Sequence, residues 1–132
     1  MAGWQAVVSE VARYRVVRRS DHWVAIEARS CPVIVRAVRD HGTAWIQIDA
    51  ILCRHRDVSL EALLRHMGKG TVGAVVIVGD VCLMRERIQL GMLRAPHIHV
   101  AIDMVIAHTM AARRVLEAPG RRDDSIFDYL IA

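Results

Sequence analysis

Between His22 and Leu52 the apolar residues fall on every second position, and no other feature of the chain limits its fold so strongly. In His22–Arg29, Val24, Ile26 and Ala28 alternate with Trp23, Ala25 and Glu27. In Pro32–Arg39, Val33, Val35 and Ala37 share a face opposite Ile34, Arg36 and Val38. After the turn signal Asp40-His41-Gly42, Ala44–Leu52 repeats the pattern, Ile46, Ile48 and Ala50 alternating with Trp45, Gln47 and Asp49. A period of two sends successive side chains to opposite faces of a strand. The stretch therefore predicts three consecutive strands in an antiparallel meander, one face in a core and the other wetter.

Helical periods bracket the meander. Trp4, Val7, Val8, Val11 and Tyr14 recur at three and four, which predicts a helix over 3–18 whose last turn is weakened by β-branched Val16-Val17. Ser59 is a good N-cap for a short helix, Leu60–Met67, with Leu60, Leu63, Leu64 and Met67 on one face and Gly68 at its stop. Val72–Val78 and Val81–Leu90 predict a second strand pair around Gly79-Asp80. The final helix, Pro96–Glu117, carries two adjacent apolar stripes. One runs through Ile98, Ile102 and Val105, the other through Val100, Met104 and Val115. That width exceeds what packing onto one sheet requires and predicts a further contact. The expected class is α+β: helix, three strands, helix, two strands and a long helix, with a mainly antiparallel sheet packed against the helices. A single domain is expected over 1–120, followed by a tail over 121–132 whose apolar end docks on the domain or on a partner.

Length and composition narrow the function classes. The chain has 132 residues, 54% of them apolar and 24% charged, which excludes a disordered chain and suits one domain. Its apolar runs are too short and too interrupted for a bilayer span. The start lacks the basic and apolar regions of a secretory signal, so cytoplasmic residence is expected. Cys31, Cys53 and Cys82 are odd in number and widely spaced, and read as buried, reduced thiols. The formal charge of +4 is carried almost wholly by arginines scattered along the chain. Nucleic-acid binders instead gather basic residues on one face and interleave aromatics, and aromatics are only 5% here.

Motifs that would carry chemistry are weak. Gly68-Lys69-Gly70-Thr71-Val72-Gly73 spells GxGxxG. However, it follows a helix and enters a strand, the reverse of what a dinucleotide site needs. A helix stop and turn explain the glycines. His97, His99, Asp103 and His108 cluster near the last helix, where His99 and Asp103 are four apart; a metal site would still need a third ligand such as His55 or Cys53. The acids Glu27, Asp49, Glu61, Glu86 and Asp103 show no paired spacing, and no serine sits in a nucleophile elbow. No catalytic, cofactor or metal residue is therefore assigned, and the expectation is a protein that is not an enzyme.

The element order and the strand–turn–strand–long helix ending at Val72–Glu117 resemble the type III secretion class I chaperone fold, shared by the YbjN-like family. The likeness covers about residues 3–117. The acidic character common in secretion chaperones is absent, since this chain is basic. A roadblock-type domain differs in placing two strands before the middle helix and three after it. The resemblance implies a homodimer that binds a segment of a partner protein through apolar sheet and helix surface, without chemistry. On that reading Leu63, Leu64, Met67, Val76 and Val78 contribute to dimerisation, and Trp4, Val8, Val11, Trp23 and Trp45 form the partner-binding patch. The alternatives are a nucleic-acid-contacting or sensory regulator and, behind it, a small-molecule or metal-dependent enzyme. Exposed aromatics on a sheet mark a contact surface; the competing reading is that the last helix covers Trp23 and Trp45.

Overall fold

The computed structural model describes residues 3–11, 14–67, 74–92 and 94–116, with the side chains of Leu60, Met67, Met92 and Ala95 left aside. The elements run α1 (Trp4–Ser9), β1 (Arg15–Arg19), β2 (Trp23–Ala28), β3 (Cys31–Asp40), β4 (Thr43–Arg54), α2 (Leu60–Met67), β5 (Ala74–Val78), β6 (Val81–Gln89) and α3 (Ala95–Leu116). All six strands join one antiparallel sheet in the order β1-β2-β3-β4-β6-β5. The class is α+β, a single domain whose sheet packs against its helices.

The first helix is shorter than its periodicity predicts. It ends at Ser9, and Arg15–Arg19 becomes an edge strand paired with β2. β-Branched Val16 and Val17 favour a pleated backbone, and the neighbouring strand offers a ladder that a frayed helical turn does not. The meander therefore has four strands rather than three. Its two inner turns are two-residue loops with positive φ at both positions, Arg29-Ser30 and His41-Gly42. Their twist matches the flanking strands. At the start of α2, Ser59 Oγ accepts a hydrogen bond from the Ala62 amide at 3.0 Å, the cap its sequence predicts.

The core lies on one face only. Ile26, Val33, Val35, Ile46, Ile48, Leu52 and Met84 from the sheet pack with Trp4 and Val8 of α1, Leu63 of α2, and Ile98, Ile102 and Ile106 of α3. Along α3, Ile98, Ile102 and Val105 face this core, while Val100, Met104 and Val115 of the second stripe are exposed. Arg113, also on α3, is buried and holds the helix to the sheet. Its guanidinium donates to the Leu52 carbonyl at 2.8 Å, to the Ile51 carbonyl, and to the Ser30 carbonyl at 3.3 Å. Ile51 and Leu52 sit at the β4 bulge, where the register to β6 shifts. A bulge leaves backbone groups outside the ladder, and the arginine supplies the donors.

The three cysteines are buried and free, as their settings predict. Burial pushes the Cys31 thiol up to about 11 and the Cys53 thiol up to about 12. Among the described residues, no helix is long and apolar enough to cross a membrane.

Candidate sheet-face site

The opposite face of the sheet is built from the alternate residues of the same strands. Reading across the register, Trp23 of β2 lies opposite Arg36 of β3, Arg36 opposite Gln47 of β4, and Gln47 opposite Arg87 of β6. In the next row Ala25, Ile34, Asp49 and Arg85 follow one another, and Arg85 is opposite Ala74 of β5. Among the described residues no helix packs on this face. Its small apolar clusters are made by strand residues, Ile51 with Val81 and Leu83, and Ala25 with Ile34 under Val17 and Trp23.

Between those clusters runs a polar network. Asp49, only 2% exposed, takes Arg85 in a two-pronged pair, Nε to Oδ1 at 2.7 Å and Nη2 to Oδ2 at 3.2 Å. Gln47 Nε2 donates to Asp49 Oδ2 at 3.0 Å, and Arg87 Nε donates to Gln47 Oε1 at 2.8 Å. The other end of Arg87 reaches Asp40 at 2.8 Å. Each member thus orients the next, and charge-assisted bonds of this kind are the stronger ones.

Beside the network lies a cavity of about 160 Å³, lined by Ile34, Arg36, Asp49, Val78, Leu83 and Arg85. A second cavity, of about 300 Å³, is lined by Tyr14, Ala28, Arg29, Asp103 and Ile106 on the helix side. There the Tyr14 hydroxyl donates to Asp103 Oδ1 at 2.6 Å. His99 Nε2 lies 3.1 Å from the Val7 carbonyl. The histidine and acid that stand four apart on the helix therefore have separate partners. Among the described residues no group of three His, Cys, Asp or Glu is placed to hold a metal ion. The GxGxxG string lies outside the described residues, as does the tail over 121–132.

The residues expected to bind a partner divide sharply. Trp4, Val8 and Val11 are buried, packed inside the protein's own core. The short α1 turns that stripe against α3, so these three cannot form a surface patch, and that expectation is corrected. Trp23 and Trp45 stand half-exposed on the face opposite the aliphatic stripe, not covered by the last helix. Of the dimerisation residues, Leu63 is likewise claimed by the core, and the side chain of Met67 lies outside the described residues. Leu64 is 62% exposed, Val78 is 39% exposed and Val76 is half-buried.

Sequence reasoning missed the network. Its signal was present as two i, i+2 pairs, Gln47/Asp49 and Arg85/Arg87, each on one face of its strand. Only the β4–β6 pairing brings acid and base together. Compared with protein-family models, with curated proteins and with solved structures, the chain matches none of them.

Proposed function

We propose that this protein is a non-catalytic, chaperone-like binding module that takes an extended segment of a partner protein on the helix-free face of its sheet and acts as a cytoplasmic homodimer. The observation that carries the reading is that face itself, where half-exposed Trp23 and Trp45 flank a strip holding Arg36, Arg85 and Arg87. Tryptophan and arginine dominate the energetic centres of protein interfaces, tryptophan through the large apolar area it buries and arginine through its planar fork of donors. The arginines bonded to Asp49, Gln47 and Asp40 are already oriented, which lowers the ordering cost of association. The edge strand β5 has exposed Ile77 and Val78, carries no charge, and among the described residues pairs with β6 alone, which leaves its outer backbone groups for a second copy.

The test is affinity capture from a lysate of the native host at low and high salt, with the parent and a Trp23→Ala/Trp45→Ala variant compared by mass spectrometry. A stoichiometric protein that survives high salt and is lost with the double variant supports the module. Recovery of nucleic acid alone, released by salt as counterion-driven binding must be, overturns it in favour of a nucleic-acid regulator. Retention of full partner affinity by the double variant removes the sheet face from consideration.

A further inference from the structure

Arg36 differs from its neighbours on the sheet face. Arg85 is matched to Asp49, and Arg87 to Asp40 and Gln47. The Arg36 side chain has no hydrogen bond or ion pair among the described residues, and its Nε is buried without a partner. A donor withdrawn from water and left unbonded is costly, and the cost is larger for a charged group. Asp49 does not bond it: that carboxylate accepts from Arg85 and Gln47 instead, and its single negative charge is already shared with Arg85. The cavity beside Arg36 therefore holds two guanidinium groups against one carboxylate, over an apolar lining of Ile34, Leu83 and Val78.

We propose that this cavity is a carboxylate-binding seat, in which Arg36 receives an acidic side chain of the partner segment; the inference rests on the protein-binding reading above. A planar guanidinium matches a carboxylate with two parallel hydrogen bonds. The apolar lining suits the methylenes of a glutamate. At about 160 Å³ the space is smaller than the roughly 300–1,000 Å³ of small-molecule and cofactor pockets, and takes one side chain. Phosphate shares the oxyanion chemistry but lacks the apolar stem.

The probes are two blocked peptides, acetyl-Val-Glu-Val-amide and its Gln counterpart, together with inorganic phosphate. Each is titrated into the isotopically labelled full chain while the Arg36 Nε–H signal and, in parent and variants alike, the backbone amides of the cavity residues Ile34, Asp49 and Leu83 are followed by NMR. The Glu peptide is expected to give a saturable shift of those signals, with the Gln peptide about tenfold weaker. Arg36→Met, which keeps an apolar stem, loses the Glu preference while its backbone spectrum stays dispersed. Arg36→Lys retains part of it. No saturable shift, equal binding of the Gln peptide, or tighter binding of phosphate than of the Glu peptide overturns the seat. If the Trp-dependent capture survives in Arg36→Met without loss, the seat fails while the binding module stands. If capture fails outright but the peptide preference holds, the module reading is the one that falls.

Discussion

The two faces of the sheet are cut from the same strands yet solve opposite problems. On the helix-covered face, Ile46, Ile48 and Leu52 of β4 are wholly buried among aliphatic neighbours. On the other, Gln47 and Asp49 are almost as deeply buried, although no described helix lies above them. The first face gains stability from apolar area withdrawn from water, without directional demands. The second stays buried only because each polar atom of Asp49 finds a donor. Burial alone therefore does not locate a core. The chemistry of what is buried separates a face that holds the protein together from one that is kept polar and oriented.

Adjacent residues make that contrast measurable. Ile48→Ala removes buried methylenes and leaves a cavity under α3, with an expected cost of about 4 kcal/mol in urea unfolding. Asp49→Asn keeps the shape but removes the charge opposite Arg85. Because the Arg85 side chain is 24% exposed and can turn to water, the cost is expected to be about 2 kcal/mol. Equal costs would erase the distinction between the faces. Arg113→Met falls between them, at about 3 kcal/mol, since it strands the Ile51, Leu52 and Ser30 carbonyls together. Unfolding midpoints of the variants against the parent decide the order.

A smaller effect reports on the covered face alone. The Cys31 and Cys53 thiols titrate at about 11 and about 12 in the fold, against 9.0 for an ordinary thiol, because burial opposes the charged form. Between those limits the unfolded chain has released protons that the folded chain keeps. Stability is then unaffected below pH 9 and falls as pH rises above it, by at most about 1.4 kcal/mol per pH unit for each thiol. Cys31→Ala is expected to flatten part of that slope when urea unfolding is repeated at pH 8 and pH 10. An unchanged slope would mean that Cys31 is not buried as described.

What was legible in the sequence follows the same division. The covered face was readable because burial in an apolar core leaves a periodic record, so Val24, Ile26, Val33, Ile46 and Ile48 fell on the expected side. Trp23 and Trp45 were placed on the opposite face for the same reason. Trp4 and Val8 were correctly read as one helical stripe, while Val11 lies beyond the end of α1; amphipathic spacing does not say whether a stripe meets a partner or its own α3. The strand at Arg15–Arg19 was hidden because Val16 and Val17 suit a ladder that only β2 can supply. Arg113 and the Asp49–Arg85 pair were invisible for a deeper reason. Their partners stand 61 and 36 residues away, and no local pattern marks a bond made across the fold.

The two edges of the sheet extend the comparison. β1 has exposed Arg15, Arg18 and Arg19 and an irregular register at Val16/Arg18, and charge and bulges are the usual protection of an edge against pairing. β5, Ala74-Val-Val-Ile-Val78, has neither charge nor proline. In an antiparallel pair of two β5 strands, no like charges would meet, whereas two β1 strands would bring arginines together. If the homodimer forms at β5, Ile77→Lys gives that edge the protection β1 already has. Ile77 is 41% exposed, so the change is expected to alter folding stability by only about 0.5 kcal/mol, while sedimentation velocity shifts from dimer to monomer. A matching lysine at Val16, also exposed, leaves the dimer intact. A parent that sediments as a monomer, or an Ile77→Lys variant that remains a dimer, places self-association elsewhere or removes it, and the unguarded edge is then left for the partner segment.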